Sequence, residues 1–130
     1  MKALLSIKPK YVSKILSGEK RYEFRRKIFK RDDVDTIVIY ASAPVQRVVA
    51  EARISQILSA TPQDIWETTS HYGGIEKTAF MQYFHDTQEA HAIEIDSIHR
   101  FEMPITLHEY APHLSMPPQS FTYIDTTKTR

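Results

Sequence analysis

The amino-acid sequence predicts a compact α+β protein of five or six short strands with about three helices outside them, and a small barrel is the closure those strands suggest. Three observations predict it. A length of 130 residues with 42% hydrophobic residues suits one core and leaves no room for a second domain. Val, Ile and Ala crowd residues 35–42 and 47–57, and the connection Ala43-Pro44-Val45-Gln46 between them is short enough for a hairpin-like turn. Helical patterning is confined to the stretch after Pro9, the stretch from Thr61 to Phe84, and one turn near Thr106.

The elements follow in order. Ala3–Lys8 reads as a strand, and Pro9 opens a helix where its missing N–H costs nothing. Val12, Ile15 and Leu16 form that helix's apolar stripe, and Gly18 marks its end in the position that favours a left-handed residue. The chain then turns back into a strand over Arg21–Arg26. Residues 35–42 and 47–57 read as central strands. Thr61-Pro62-Gln63-Asp64 starts a helix with an N-cap threonine, a first-turn proline and an acid three residues on, and Gly73-Gly74 ends it. Ile75, Ala79, Phe80, Tyr83 and Phe84 share a helical face, read as core contact without a site role. His91–Ile98 is a further strand. A helical turn opens at Thr106 with Glu109 three residues on, Pro112, Pro117 and Pro118 constrain the next loop, and Ser120–Ile124 is a last strand. The domain thus spans 1–124, and residues 125–130 form a polar tail expected to fray.

Composition removes several function classes. Cysteine is absent, which excludes disulfides, thiol catalysis and thiolate zinc sites. The six histidines stand at no recognised ligand spacing, so neither a metal nor another cofactor is implied. No apolar run approaches the ~20 residues that cross a bilayer, and the N-terminus is too soon interrupted for a secretory signal, so a cytoplasmic location without membrane partners is expected.

Charge is the informative feature. Residues 1–31 carry eleven Lys/Arg against two acids, whereas residues 32–130 carry six against fourteen. Such asymmetry favours an anionic partner on one surface, and RNA or another single-stranded nucleic acid is the commonest candidate. Seven of the twelve residues from Lys20 to Arg31 are basic. Within them, Tyr22 and Phe24 fall on one face of an extended strand, while Arg21, Glu23 and Arg25 fall on the other. One face is expected to be buried and the other to offer donors around a single acid. A plain Glu23–Arg25 ion pair fixing a loop is the structural alternative.

The run Leu5-Ser6-Ile7-Lys8-Pro9, a helix, then Gly18-x-Lys20-x-x-Glu23-x-Arg25 resembles the signature of the ASCH (activating-signal-cointegrator homology) domain family. Tyr40-Ala41-Ser42-x-Pro44 and Pro118-Gln119-Ser120-Phe121 resemble segments of its small stand-alone bacterial members. The resemblance implies a PUA-like β-barrel with helices around a cleft, associated with RNA and modified nucleotides. It also implies that Lys20, Glu23 and Arg25 line that cleft with Ser6 and Lys8 beside them. The residue chemistry agrees: Lys and Arg hold phosphate, Arg offers a planar fork, and a carboxylate accepts from an exocyclic amine.

Binding of RNA or a modified nucleotide, without turnover, is the simplest expectation. Its candidate contacts are Ser6, Lys8, Lys20, Arg21, Glu23, Arg25, Tyr40, Ser42 and Ser120, with Lys27, Lys30 and Arg31 on a basic loop. Phe29 in that loop is the best candidate for an exposed stacking aromatic, with Tyr22 and Phe24 assigned to the core. Hydrolysis is the alternative, with Lys20 and Glu23 as catalytic groups. Some relatives resemble amidohydrolases that remove an acyl group from N4 of cytidine with a threonine three residues after the motif lysine. Here that position holds Glu23, which does not support the same acyl-enzyme chemistry. Other relatives are associated with ribonuclease activity, for which Glu23 as base, Lys20 as oxyanion partner, and Ser6, Tyr40 or Ser120 as hydroxyls are available. Glu76 is a weaker second carboxylate, better placed to favour a helix N-terminus. A regulatory adaptor whose basic loop meets an acidic protein is the third class.

Overall fold

The computed structural model describes residues 1–125, so of the expected polar tail all but Asp125 lies outside the described residues. Six strands form one sheet: β1 (Lys2–Ile7), β2 (Tyr22–Arg25), β3 (Thr36–Ala41), β4 (Arg47–Ala60), β5 (Ala90–Ile105) and β6 (Phe121–Ile124). Their order is β2-β5-β4-β3-β1-β6. β1 and β3 run parallel, with Leu4 beside Val38 and Ser6 beside Tyr40, and every other pair is antiparallel. The helices are α1 (Pro9–Ser17), α2 (Pro62–Thr69), α3 (Lys77–Tyr83) and the short α4 (Leu107–Tyr110), with a single 3-10 turn at Ser70–Tyr72.

Local chemistry sets the boundaries. Pro9 starts α1, and Gly18 ends it at φ +86 while its N–H reaches the Ile15 carbonyl. The Thr61 hydroxyl accepts from the Asp64 N–H at the start of α2. Thr106 and Glu109 form a reciprocal capping box around α4, the turn expected there. β4 and β5 outrun their expected ends because they pair with each other from Ala60↔Ala90 to Val48↔Ile105. That partner supplies the ladder where alternation in sequence is lost.

The sheet curls as an open half-barrel, a partial form of the small barrel expected. β2 and β6 are four residues each and remain unpaired edges, and register shifts within β4, around Val48/Ala50 and between Arg53 and Gln56, bend the long ribbon. Ala3, Leu5 and Ile7 meet Ile37, Ile39, Ala50 and the α1 residues Val12 and Ile15 in one cluster. Leu4, Val38, Tyr40, Val48, Leu107 and Ile124 form a second on the opposite face of β1 and β3. Phe24, Ala90 and Ala92 pack with Ile65, Phe80 and Phe84 of the α2 and α3 segment in a third. The Phe24 and Phe80 rings meet edge to face at 5.0 Å. No described helix is long and apolar enough to cross a membrane.

Candidate functional site

The same strand–helix–strand path that fills the first cluster builds a cleft. β1 delivers Ser6 and Lys8 at its end, α1 returns the chain, and the Gly18 turn sets Lys20 at the start of β2. With α3 as the far wall, these elements enclose a cleft of about 470 Å³ lined by Ser6, Lys8, Lys20, Glu23 and Arg25 among others. Its size is that of a small-ligand site.

Lys20 lies at the floor, 3% exposed. Its Nζ donates to the Gly73 carbonyl at 2.7 Å and stands over the rings of Phe24 and Tyr11, 4.5 and 5.2 Å from their centroids. Burial pulls its pKa from 10.5 down to about 8, against the Glu23 carboxylate, which raises it, and with help from Lys14 and Arg25. The Gly73 carbonyl takes one of the three ammonium protons.

Glu23 and Arg25 are 7% and 8% exposed. The expectation that β2 buries one face and opens the other is corrected: both faces are covered, because the curled sheet brings the inner face of β2 against the end of β1 and the approach to β6. Arg25 Nε donates to Glu23 Oε2 at 3.1 Å, and NH2 stands 3.0 Å from the same oxygen. NH2 also donates to the Ser6 carbonyl at 2.9 Å, and NH1 to the Ser120 carbonyl at 3.1 Å. Three of the five guanidinium N–H groups are hydrogen-bonded, beside the ion-pair contact with Glu23, so Arg25 latches the two ends of the open sheet. Glu23 Oε1 bonds to no described residue, yet no buried side-chain oxygen lacks a partner, so Oε1 faces the cleft solvent.

The remaining candidates are scattered. The Ser6 hydroxyl lines the cleft but donates to the Pro118 carbonyl at 2.7 Å. Lys8 is exposed on the rim. Arg21 borders a second cavity of about 360 Å³, behind Lys20, and lays its guanidinium 4.2 Å over the Tyr72 ring. Tyr40 is buried in the second apolar cluster. Ser42 forms a turn, its N–H bonded to the Ile7 carbonyl, and Ser120 meets the site through its backbone carbonyl. Lys27, Lys30 and Arg31 are exposed outside the cleft lining, and Arg31 is held by Asp33 at 2.9 and 2.7 Å. Phe29 is not exposed: it is 6% accessible and packs edge to face on Phe121, because its loop folds back on β6. Glu76 occupies the α3 N-cap position without a side-chain cap bond.

Sequence reading missed part of the lining. Lys10, Tyr11 and Arg26 complete the basic and aromatic rim, and Gln82, Tyr83 and Gln119 the opposite lip. Of the residues assigned to the core alone, Ile75 and Tyr83 serve both the third cluster and the cleft wall, and Ala79 lines the cleft. Lys10 and Tyr11 were within reach of sequence, since they flank the apolar stripe of α1. Nothing in the sequence places α3 over β2.

The ASCH domain family profile matches residues 5–99. An ASCH domain-containing ribonuclease of Zymomonas mobilis is 28% identical over 98% of this chain and 87% of its own length. The crystal structure of ASCH from Zymomonas mobilis superposes with a TM-score of 0.88 at 28% identity, covering 98% of this chain and 90% of that one. A tyrosine-to-phenylalanine mutant of that protein does so with 0.88 at 27%, covering 98% and 92%. With the profile spanning most of the sequence and the same fold recovered end to end, the chain belongs to the ASCH domain family.

Proposed function

We propose that the protein binds single-stranded RNA across the basic rim and cleaves it in the cleft. The observation that carries this reading is the pairing, in one cleft, of a buried lysine that releases its proton near pH 8 with a carboxylate that keeps one oxygen open. Glu23 Oε1 takes the proton of a 2′-hydroxyl, whose oxygen bonds to phosphorus. The P–O5′ bond breaks, and Lys20 gives its proton to the leaving oxygen. The products are a 2′,3′-cyclic phosphate and a 5′-hydroxyl. Arg25 holds Glu23 in place, and Lys8, Lys10 and Arg26 supply phosphate contacts on the rim. The Zymomonas relative named a ribonuclease supports an RNA substrate.

The test is incubation with a labelled RNA, the same strand with one 2′-deoxynucleotide, and N4-acetylcytidine. Cleavage of the RNA, blocked at the deoxy position, is expected. Release of acetate without strand scission would replace this reading with an amidohydrolase, and retention of RNA without any product would leave binding alone.

A further inference from the structure

Between the 3-10 turn at Ser70–Tyr72 and α3, the backbone of Gly73 and Gly74 crosses directly over the Lys20 side chain. A Cβ on Gly74 would stand 2.6, 2.9 and 3.1 Å from Lys20 Cβ, Cγ and Cδ. Those atoms are the stem of the lysine, not its mobile end, so the space a side chain would occupy at residue 74 is filled by Lys20. Gly74 also has φ +63, in the left-handed region. Gly73 is more loosely confined: a Cβ there would stand 3.3 Å from the Phe24 ring that underlies the ammonium.

The crossing is tied down from both sides. Lys20 Nζ donates to the Gly73 carbonyl at 2.7 Å and Lys14 Nζ to the Gly74 carbonyl at 3.4 Å. The Arg21 N–H donates to the Tyr72 carbonyl at 2.7 Å, and its guanidinium covers the Tyr72 ring. Lys20 thus holds the strap as well as facing the cleft, and Arg21 ties it from the side of the second cavity. The ionic groups acting on Lys20 are Glu23 and Arg25 on β2 and Lys14 on α1. Gly73 and Gly74 add no ionisable side chain, so what they contribute is exclusion of water and one fixed carbonyl.

We infer that the Gly73–Gly74 strap is a positioning clamp that holds the Lys20 amine in its buried, cleft-facing conformation, and that the missing side chain at residue 74 makes this possible. The inference rests on Lys20 as the reacting group for its functional meaning, but not for its physical test. Lifting the strap lets water reach the stem and frees the amine from one set direction.

The experiment follows the titration of the Lys20 side chain by NMR in the whole protein, alongside RNA cleavage, for wild type, Gly74→Ala and Gly18→Ala. Both variants put alanine at positive φ, but nothing lies within 4 Å of a Cβ on Gly18, so this control strains the turn that leads to Lys20 without occupying the space of its side chain. Gly74→Ala is expected to move the Lys20 titration upward by about one unit or more, toward an ordinary lysine, and to lower the cleavage rate with little change in RNA affinity. Gly18→Ala is expected to titrate as wild type. An unmoved titration in folded Gly74→Ala, or the same shift in both variants, would overturn the clamp. Should Gly74→Ala not fold, Tyr72→Ala removes the ring beneath the Arg21 guanidinium, leaving the backbone bond to the Tyr72 carbonyl, and takes its place: a smaller upward shift supports the clamp, and none refutes it. A shifted titration in a protein whose wild type does not cleave RNA would keep the clamp and discard the ribonuclease reading.

Discussion

The cleft floor and the loop after it draw on one basic stretch of sequence, yet their cations do opposite things. On the floor, Lys20 and Arg25 are buried and bonded to backbone carbonyls. On the loop, Lys27 and Lys30 are exposed, and Arg31 is chelated by the exposed Asp33. An exposed cation contributes long-range attraction that salt screens, whereas a desolvated one has its protonation and direction set by the protein. On the proposed reading, local charge density in sequence reports the sign of the partner, and burial selects the groups that do chemistry.

Replacing the floor lysine separates the two regions most sharply. Lys20→Met should lower RNA cleavage by about 10²- to 10⁴-fold, the range for a lost proton-transfer group, while leaving RNA affinity near wild type. Its thermal midpoint at pH 7 should not fall. Lowering the lysine pKa from 10.5 to about 8 corresponds to about 3 kcal/mol set against folding while the amine is charged. Unchanged cleavage, or a midpoint several degrees lower, would place Lys20 among structural cations.

Arg25→Met tests the latch. It leaves Glu23 without its partner and strips donors from the Ser6 and Ser120 carbonyls, so a destabilisation of about 3–5 kcal/mol in denaturant unfolding is expected, as for other broken buried pairs. A loss under about 1 kcal/mol, the worth of an exposed pair, would show that the ends of the half-barrel hold together without it.

The pH dependence of stability carries a sign. The unfolded chain keeps the Lys20 proton up to about pH 10.5, while the folded chain releases it near 8. The unfolded state therefore binds more protons across that window, and Lys20 makes stability rise with pH there, by up to about 3 kcal/mol in all. Subtracting the profile of Lys20→Met should isolate this rise; a difference that is flat or falls between pH 8 and 10 would contradict the burial argument.

The loop gives the smallest effect. Changing Lys27, Lys30 and Arg31 together to Ala should weaken RNA binding several-fold at low salt and reduce the log–log salt slope by about 2, given about 0.7 per phosphate neutralised on single strands. Cleavage of saturating RNA should be unaffected. An altered saturating rate would bring the loop into the cleft.

Much of this was legible before folding. Pro9 and Gly18 bracket α1, the Thr106 and Glu109 pair caps α4, and the spacing of Ser6, Lys8, Lys20, Glu23 and Arg25 puts them on one strand–helix–strand path. What stayed hidden depends on distant packing. Phe29 among cations looks exposed until Phe121, ninety-two positions on, covers it, and Tyr40 looks available until α4 closes over its face of the sheet. The Arg25 fork looks ready for a ligand because its acceptors are backbone carbonyls, which leave no trace in side-chain patterns. Tyr83 and Gln82 become cleft residues only through the placement of α3.

The most direct measurement is the single-turnover rate of cleavage of a labelled single-stranded RNA across pH 6–10. With protonated Lys20 serving the leaving oxygen, the rate should hold level below pH 8 and fall tenfold per unit above a bend near 8, and Lys20→Met should show neither the rate nor the bend. A wild-type rate that keeps climbing through pH 9, or a bend that persists in Lys20→Met, would contradict the assignment of Lys20 as the proton donor.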